Sequence, residues 1–167
     1  MIRAGGSTGA DSGTVERMEP ARHLATIGYE GSAVHAVVAA LDVAAVDLLV
    51  DVRIRAQSRK PGLSKTSLAA ELARAGIDYE HLRDLGTPLE IRAEFRAGNL
   101  EEGRARYREY LRSDAAALAS LELLRERIAS RRPAILCFER DERHCHRMVI
   151  CEELEAEGGV EVVHLHP

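Results

Sequence analysis

Val46-Asp47-Leu48-Leu49-Val50-Asp51-Val52-Arg53 is a nearly continuous apolar run with one acid close to its end. A strand with one wet face alternates in polarity. A short unbroken apolar run suits a strand covered on both faces, as in a parallel sheet. On its N-terminal side, residues 33–45 are Ala/Val-rich and helical, and residues 23–28 (HLATIG) read as a short strand ending at a glycine. On its C-terminal side, residues 54–63 hold Pro61 and Gly62 and are a loop. Ser64 is expected to cap a helix that runs to Arg74 and stops at Gly76. Residues 77–82 (IDYEHL) then alternate like a strand.

Beyond a turn at Gly86-Thr87-Pro88, residues 89–130 form a helical arm, divided at Asn99 or at Ser113-Asp114. Leu118, Leu121, Leu124 and Ile128 recur at three or four residues, a stripe expected to face the core. Pro133 ends the arm and residues 134–139 (AILCFE) read as another buried strand. A helix from about His144 to Glu157 ends at Gly158-Gly159, and residues 160–165 (VEVVHL) are the last strand. This alternation implies a three-layer α/β/α fold with a mainly parallel, doubly wound sheet of about five strands. Residues 1–21 are Gly, Ser, Thr and charge and are expected to be a disordered tail, with Met18 a second candidate start. Residues 22–167 are expected to form a single domain.

The 167 residues suffice for one domain with its own core. A net charge of −4 excludes a basic sheath over the whole molecule and so disfavours strong nonspecific binding to nucleic acid or anionic membrane, but not a local basic patch. The cations are almost all arginine; only Lys60 and Lys65 are lysine. Arginine grips carboxylates and phosphates in bidentate fashion. Cys137, Cys145 and Cys151 are odd in number and confined to one stretch, so a disulfide framework is not expected and a reducing cytoplasm is. Residues 1–13 lack the apolar core of a signal peptide. The most apolar segment, 33–50, carries His35, Asp42 and Asp47 and is rejected as a membrane span.

In doubly wound sheets, ligands lie at the carboxyl ends of the strands. The unusual residues of this chain fall there. Gly28-Tyr29-Glu30-Gly31 follows the first strand, Asp51 and Arg53 end the second, His81 ends the third, and Cys137 and Glu139 end the fourth. Arg55, Ser58, Arg59, Lys60 and Lys65 make the loop after Arg53 rich in cations, suited either to a phosphate or carboxylate or to solvent with Asp51 and Arg53 paired structurally. An aspartate beside Arg53 stays ionised, so Asp51 is an acceptor or base. His81 is either an acid/base group in the crevice or bonded to the following turn.

Residues 137–147 (CFERDERHCHR) pack strand, loop and helix start into one segment. Free N–H groups at a helix start favour an anion that Arg147 in the first turn would clamp; in the alternative, His144 or Cys145 caps the helix and Arg147 pairs with Glu139 or Asp141. Cys145 there is a candidate nucleophile, against the commoner role of a small buried side chain. Cys137 and Arg143 fit the Cys-x5-Arg spacing of a cysteine phosphatase loop, but Glu139, Asp141 and Glu142 between them would repel a phosphate. No glycine there lets the backbone wrap one. Cys137, Glu139, His144, Cys145 and His146 are metal-ligand types, but zinc is the lesser reading, since no CxxC pair exists and three adjacent residues at a helix start cannot all point inward.

The segments Thr26-Ile-Gly-Tyr-Glu-Gly31, Asp51-Val-Arg53 leading to Ser58-Arg59-Lys-Pro-Gly-Leu-Ser-Lys65, Gly76-Ile-Asp-Tyr-Glu-His81 with Leu85-Gly86, Leu136-Cys-Phe-Glu139 and His144-Cys-His-Arg147, in this order, resemble the DUF488 family, named for its unknown function. The resemblance runs from about Thr26 to the C-terminus. Ala56 and Glu142 stand where the family usually or often has proline, which affects loop stiffness rather than the polar constellation. The resemblance implies the α/β fold and the grouping of Asp51, Arg53, Ser58, Arg59, Glu139, Cys145, His146 and Arg147. It implies no reaction.

The expectation is a small cytoplasmic enzyme that binds a phosphate-bearing or nucleotide-like small molecule over the strand ends, with hydrolase or glycosyl-transfer chemistry. Glu139, Cys145, His146 and Asp51 are the candidate catalytic residues. Tyr29, Arg53, Ser58, Arg59, His81 and Arg147 are the candidate ligand-binding residues. No cofactor is expected. The competing reading is a non-catalytic nucleotide- or nucleic-acid-binding module, with nucleic-acid repair between the two.

Overall fold

The computed structural model describes residues 22–167; the expected tail, residues 1–21, lies outside the described residues. Five strands, β1 (Arg22–Gly28), β2 (Leu48–Asp51), β3 (Asp78–His81), β4 (Pro133–Cys137) and β5 (Val160–Leu165), form one sheet in the order β3-β2-β4-β1-β5. Every pairing is parallel. The central strand, β4, is buried at all five positions. That is why its sequence, like that of β2, shows no alternation.

Among the described residues, six α-helices cover the two faces. Helices α1 (Val34–Val43) and α2 (Lys65–Arg74) follow the connections that step toward the β3 edge. Their Val37, Leu41, Leu68 and Leu72 pack with Ile27, Leu49, Ala134 and Leu136 from one face of the sheet. The connections that step the other way carry α3 (Leu89–Ala97), α4 (Leu100–Ser113), α5 (Ala115–Ser130) and α6 (Arg147–Ala156). Leu111, Leu121, Leu124, Ile150 and Leu154 from these helices pack with Leu24, Leu48, Val50 and Ile135 from the opposite face. One handedness of crossover, used in both directions along the sheet, places helices on both sides. Among the described residues no helix is long and apolar enough to cross a membrane.

The helical arm breaks at both expected points, Gly98-Asn99 and Asp114. Leu118 is 43% exposed, so the expected stripe on α5 is corrected to Ala117, Leu121, Leu124 and Ile128. The phase follows from the N-cap. Asp114 Oδ1 accepts the N–H groups of Ala116 and Ala117 at 3.0 and 2.9 Å, which turns Ala117 rather than its neighbour toward the sheet. Asp114→Ala is expected to cost about 1 kcal/mol in urea unfolding, and Asp114→Asn to restore most of it. Ser64 precedes α2 as expected but its side chain does not cap the helix. Its hydroxyl accepts Ser58 N–H and donates to Ser58 C=O, both at 3.1 Å, and so ties the loop after β2 to the start of α2.

Candidate functional site

Strand β4 lies between β1 and β2 although it follows both in the chain, so the carboxyl ends of β1, β2 and β4 meet where the winding reverses. A cavity of about 970 Å³ opens at this edge of the sheet. At the end of β2, Asp51 is fully buried. Its Oδ1 accepts the Arg53 backbone N–H at 3.1 Å and Nε–H at 2.8 Å. Its Oδ2 accepts Arg53 Nη2–H and the Tyr79 hydroxyl, both at 2.6 Å. Arg53 Nη1 donates to the Tyr29 hydroxyl at 2.9 Å and to the Leu63 carbonyl at 3.0 Å. Burial works against the guanidinium charge, but Asp51 outweighs it and raises Arg53 further. The Tyr79 phenol is held protonated, first by burial and then by Asp51.

Asp51 does not line the cavity; it acts as an acceptor, paired with Arg53 and bonded to Tyr79, the structural one of its two readings. Arg53 borders the cavity with most of its donors already engaged. His81, half-buried, is bonded through Nε2 to the Arg53 carbonyl at 2.7 Å and does not line the cavity. Neither reading of His81 is met: its partner is the Arg53 carbonyl in the loop after β2, not the turn that follows it.

Arg147 is also placed differently from an anion clamp. It is fully buried, and its Nη1 and Nη2 donate to the carbonyls of Glu139 and Arg140, the latter at 2.8 Å. The guanidinium thus sits beneath the loop 138–146 and gathers its backbone. The amide of Glu30 donates to Phe138 C=O at 2.8 Å from the β1 side. Gly28 stands where these segments cross. A Cβ there would overlap the Glu139 carbonyl and lie 2.8 Å from Arg147 Nη1.

The loop so held presents Cys137, Glu139, Cys145 and His146 together. Cys137 Sγ is 3.0 Å from Glu139 Oε2 and 3.7 Å from His146 Nδ1, which is 3.6 Å from Cys145 Sγ. Cys145 and His146 both turn inward while His144 stays exposed, because a 3₁₀ turn over Glu142–His144 precedes an extended Cys145. The Cys137 thiol is held well below its ordinary range, first by a hydrogen bond from Cys145 and then by His146. Burial pushes the Cys145 thiol well up. Burial, then the charge of Cys137, raises Glu139 to about 7. Burial opposes charge on His146, but Cys137 and Glu139 outweigh it and raise the imidazole. Tyr107, fully buried on α4, sets its ring edge-on to the imidazole at 5.2 Å and donates to Leu85 C=O.

Tyr29, Ser58 and Arg59 also border the cavity, as does Phe138, whose ring meets that of Tyr29 edge-on at 5.4 Å. Glu139 and Arg53 face the same space. Among the described residues, Glu139 is the only carboxylate in the lining, against Arg53, Arg55, Arg59, Lys65, Arg92 and Arg96. Arg92 and Arg96 were not expected. They come from α3, within the arm whose sequence shows only helical periodicity, and their spacing of four residues puts both on one face. The turn Gly86-Thr87-Pro88 after β3 was the available signal, because a segment leaving a strand end is delivered to the crevice.

The family described as "Domain of unknown function DUF488" matches residues 33–154. No curated protein and no solved structure matches the chain. The matched span includes the loop after β2, the α3 arginines, the end of β4 and the residues from Cys145 to Arg147, so the cavity is built almost wholly from it. On that match, which covers most of its length, the chain belongs to the DUF488 family.

Proposed function

We propose that the chain is an enzyme that binds a phosphate-bearing, nucleotide-like small molecule in this cavity and uses Glu139 to activate a water or sugar hydroxyl. One observation carries the reading: a single carboxylate shares the cavity with cations that have no acidic partner. Arg55, Arg59, Lys65 and Arg96 form no ion pair with any described residue, and Arg92 bonds only to the Thr87 carbonyl. Unpaired guanidinium groups around a concave surface suit an anion. Arg53 and Arg147 drop out of the expected clamp because their donors serve the fold. Arg59 remains, with Arg55, Lys65, Arg92 and Arg96 added.

In hydrolysis, Glu139 takes a proton from the water as its oxygen attacks phosphorus or a sugar carbon. The leaving oxygen departs with the bonding pair and is protonated in turn. The test is incubation of the full chain with a panel of nucleotides and sugar phosphates, read by phosphorus NMR and chromatography. Turnover of a member of the panel is expected. Glu139→Gln should lower kcat by about 10²–10⁴-fold, the usual contribution of a positioned acid or base, with little change in melting temperature. Arg59→Ala with Arg96→Ala should raise KM. Full turnover by Glu139→Gln would overturn the reading. Oligonucleotide binding that falls steeply with salt, with no turnover of any panel member, would replace it with the binding module.

A further inference from the structure

We propose that Cys137, Cys145 and His146 form a mononuclear zinc site in the wall of the cavity, with its fourth coordination position open to the ligand. The sequence pattern argued against such a site because adjacent residues at a helix start diverge. The fold removes that objection. Cys137 comes from the end of β4, and only Cys145 and His146 come from the turn before α6.

The three ligand atoms lie within 4.8 Å of one another. His146 Nδ1 is 3.7 Å from one sulfur and 3.6 Å from the other. A tetrahedral zinc with bonds of about 2.3 Å to sulfur and about 2.0–2.1 Å to nitrogen sets sulfur and nitrogen ligands about 3.5 Å apart. The two sulfur–nitrogen edges are therefore already close to those of a zinc tetrahedron, and the two sulfurs lie within 4.8 Å of each other. Two thiolates and an imidazole also make a soft, nitrogen-containing donor set, which selects zinc over magnesium or calcium.

The outer contacts suit the same reading. His146 Nε2 is 3.3 Å from the Val52 carbonyl. A carbonyl only accepts, so Nε2 keeps its hydrogen, and in the neutral imidazole that would bind a metal the Nδ1 lone pair faces the two sulfurs. A backbone carbonyl orienting the far nitrogen is the usual support of a metal-binding histidine. The Arg147 amide approaches Cys145 Sγ at 3.5 Å, a contact that favours the thiolate. Tyr107 fixes the plane of the ring. Three protein ligands leave zinc a fourth position, and all three residues border the cavity, as does Glu139 beside Cys137. A water there would be acidified by the ion and hydrogen-bonded by Glu139.

The experiment loads the reduced full-length chain with zinc or cobalt(II) and dialyses it against metal-free buffer. Elemental analysis should find about one ion per chain, the capacity of one tetrahedral site. The cobalt form should show thiolate-to-metal charge transfer of the strength of two thiolates, with intense tetrahedral d–d bands. Cys137→Ser, Cys145→Ser and His146→Ala should each abolish retention. Cys151→Ser, on the core face of α6, should retain the ion, as should Glu139→Gln. Loss of the ion by the wild-type chain would overturn the site, as would unchanged cobalt spectra in His146→Ala. If the variants do not fold, the wild-type cobalt spectrum decides by itself: one thiolate or none refutes the site. Retention by Glu139→Gln separates this result from the turnover test, so either proposal can fail alone.

Discussion

Asp51→Ala should cost about 3–5 kcal/mol of folding stability, the usual penalty for removing one partner of a buried ion pair. The melting temperature should fall by about 6–20 °C, since about 1 kcal/mol moves a domain of this size by 2–4 °C. The loss has three sources. The Arg53 guanidinium, only 6% exposed, keeps its charge without a counterion. The Tyr79 hydroxyl loses its acceptor. The Arg53 amide loses the bond that shapes the chain as it leaves β2. A double substitution to apolar residues, Asp51→Leu with Arg53→Met, should cost less than Asp51→Ala alone, because it leaves no charge unpaired. Chemical unfolding of the three proteins (wild type, single and double variant) checks this. If Asp51→Ala unfolds like the wild type but abolishes turnover in the substrate panel, Asp51 belongs to the chemistry after all.

Gly28→Ala is expected to be comparably severe, about 3 kcal/mol, at the upper end of ordinary overpacking penalties. Its methyl group would occupy the position of the Glu139 carbonyl. That carbonyl is backbone and is also the acceptor for Arg147 Nη1, so no side-chain rotation relieves the clash. The loop 138–146 must move outward, and Glu139, Cys145 and His146 move with it. The variant should therefore lose stability and retained cobalt together. A Gly28→Ala protein with unchanged melting temperature would mean that the loop is not pinned against β1. Gly31→Ala is the contrasting control: its φ of +79° is strained for alanine but its Cβ would meet nothing within 4 Å, so it should cost only about 1 kcal/mol.

Much of the fold was legible because burial leaves a pattern. The unbroken apolar runs of β2 and β4, the alternation before His81 and the glycines after helices each state a local preference, and these preferences agree. The rule that strand ends share a crevice then brought Tyr29, Arg53, Ser58, Arg59, Glu139, Cys145 and His146 to one place. It failed on direction. At a strand end a polar side chain either faces the crevice or turns back to bind its own backbone. Arg147 and His81 took the second course, bonding backbone carbonyls, while Asp51 turned to Arg53 and Tyr79. Arg92 and Arg96 show the opposite limit, since a solvated helix face and a cavity wall have the same composition.

The order of elements, the parallel sheet and the segments that meet at its carboxyl edge were determined by the sequence alone, because each follows from short-range periodicity and the handedness of the crossover. Which side chains are engaged by the fold and which are left to a ligand was decided only by tertiary structure. A guanidinium grips whatever oxygen is nearest. Whether that oxygen belongs to Glu139, to Asp51 or to a bound anion depends on distances of a few ångströms between residues far apart in the chain.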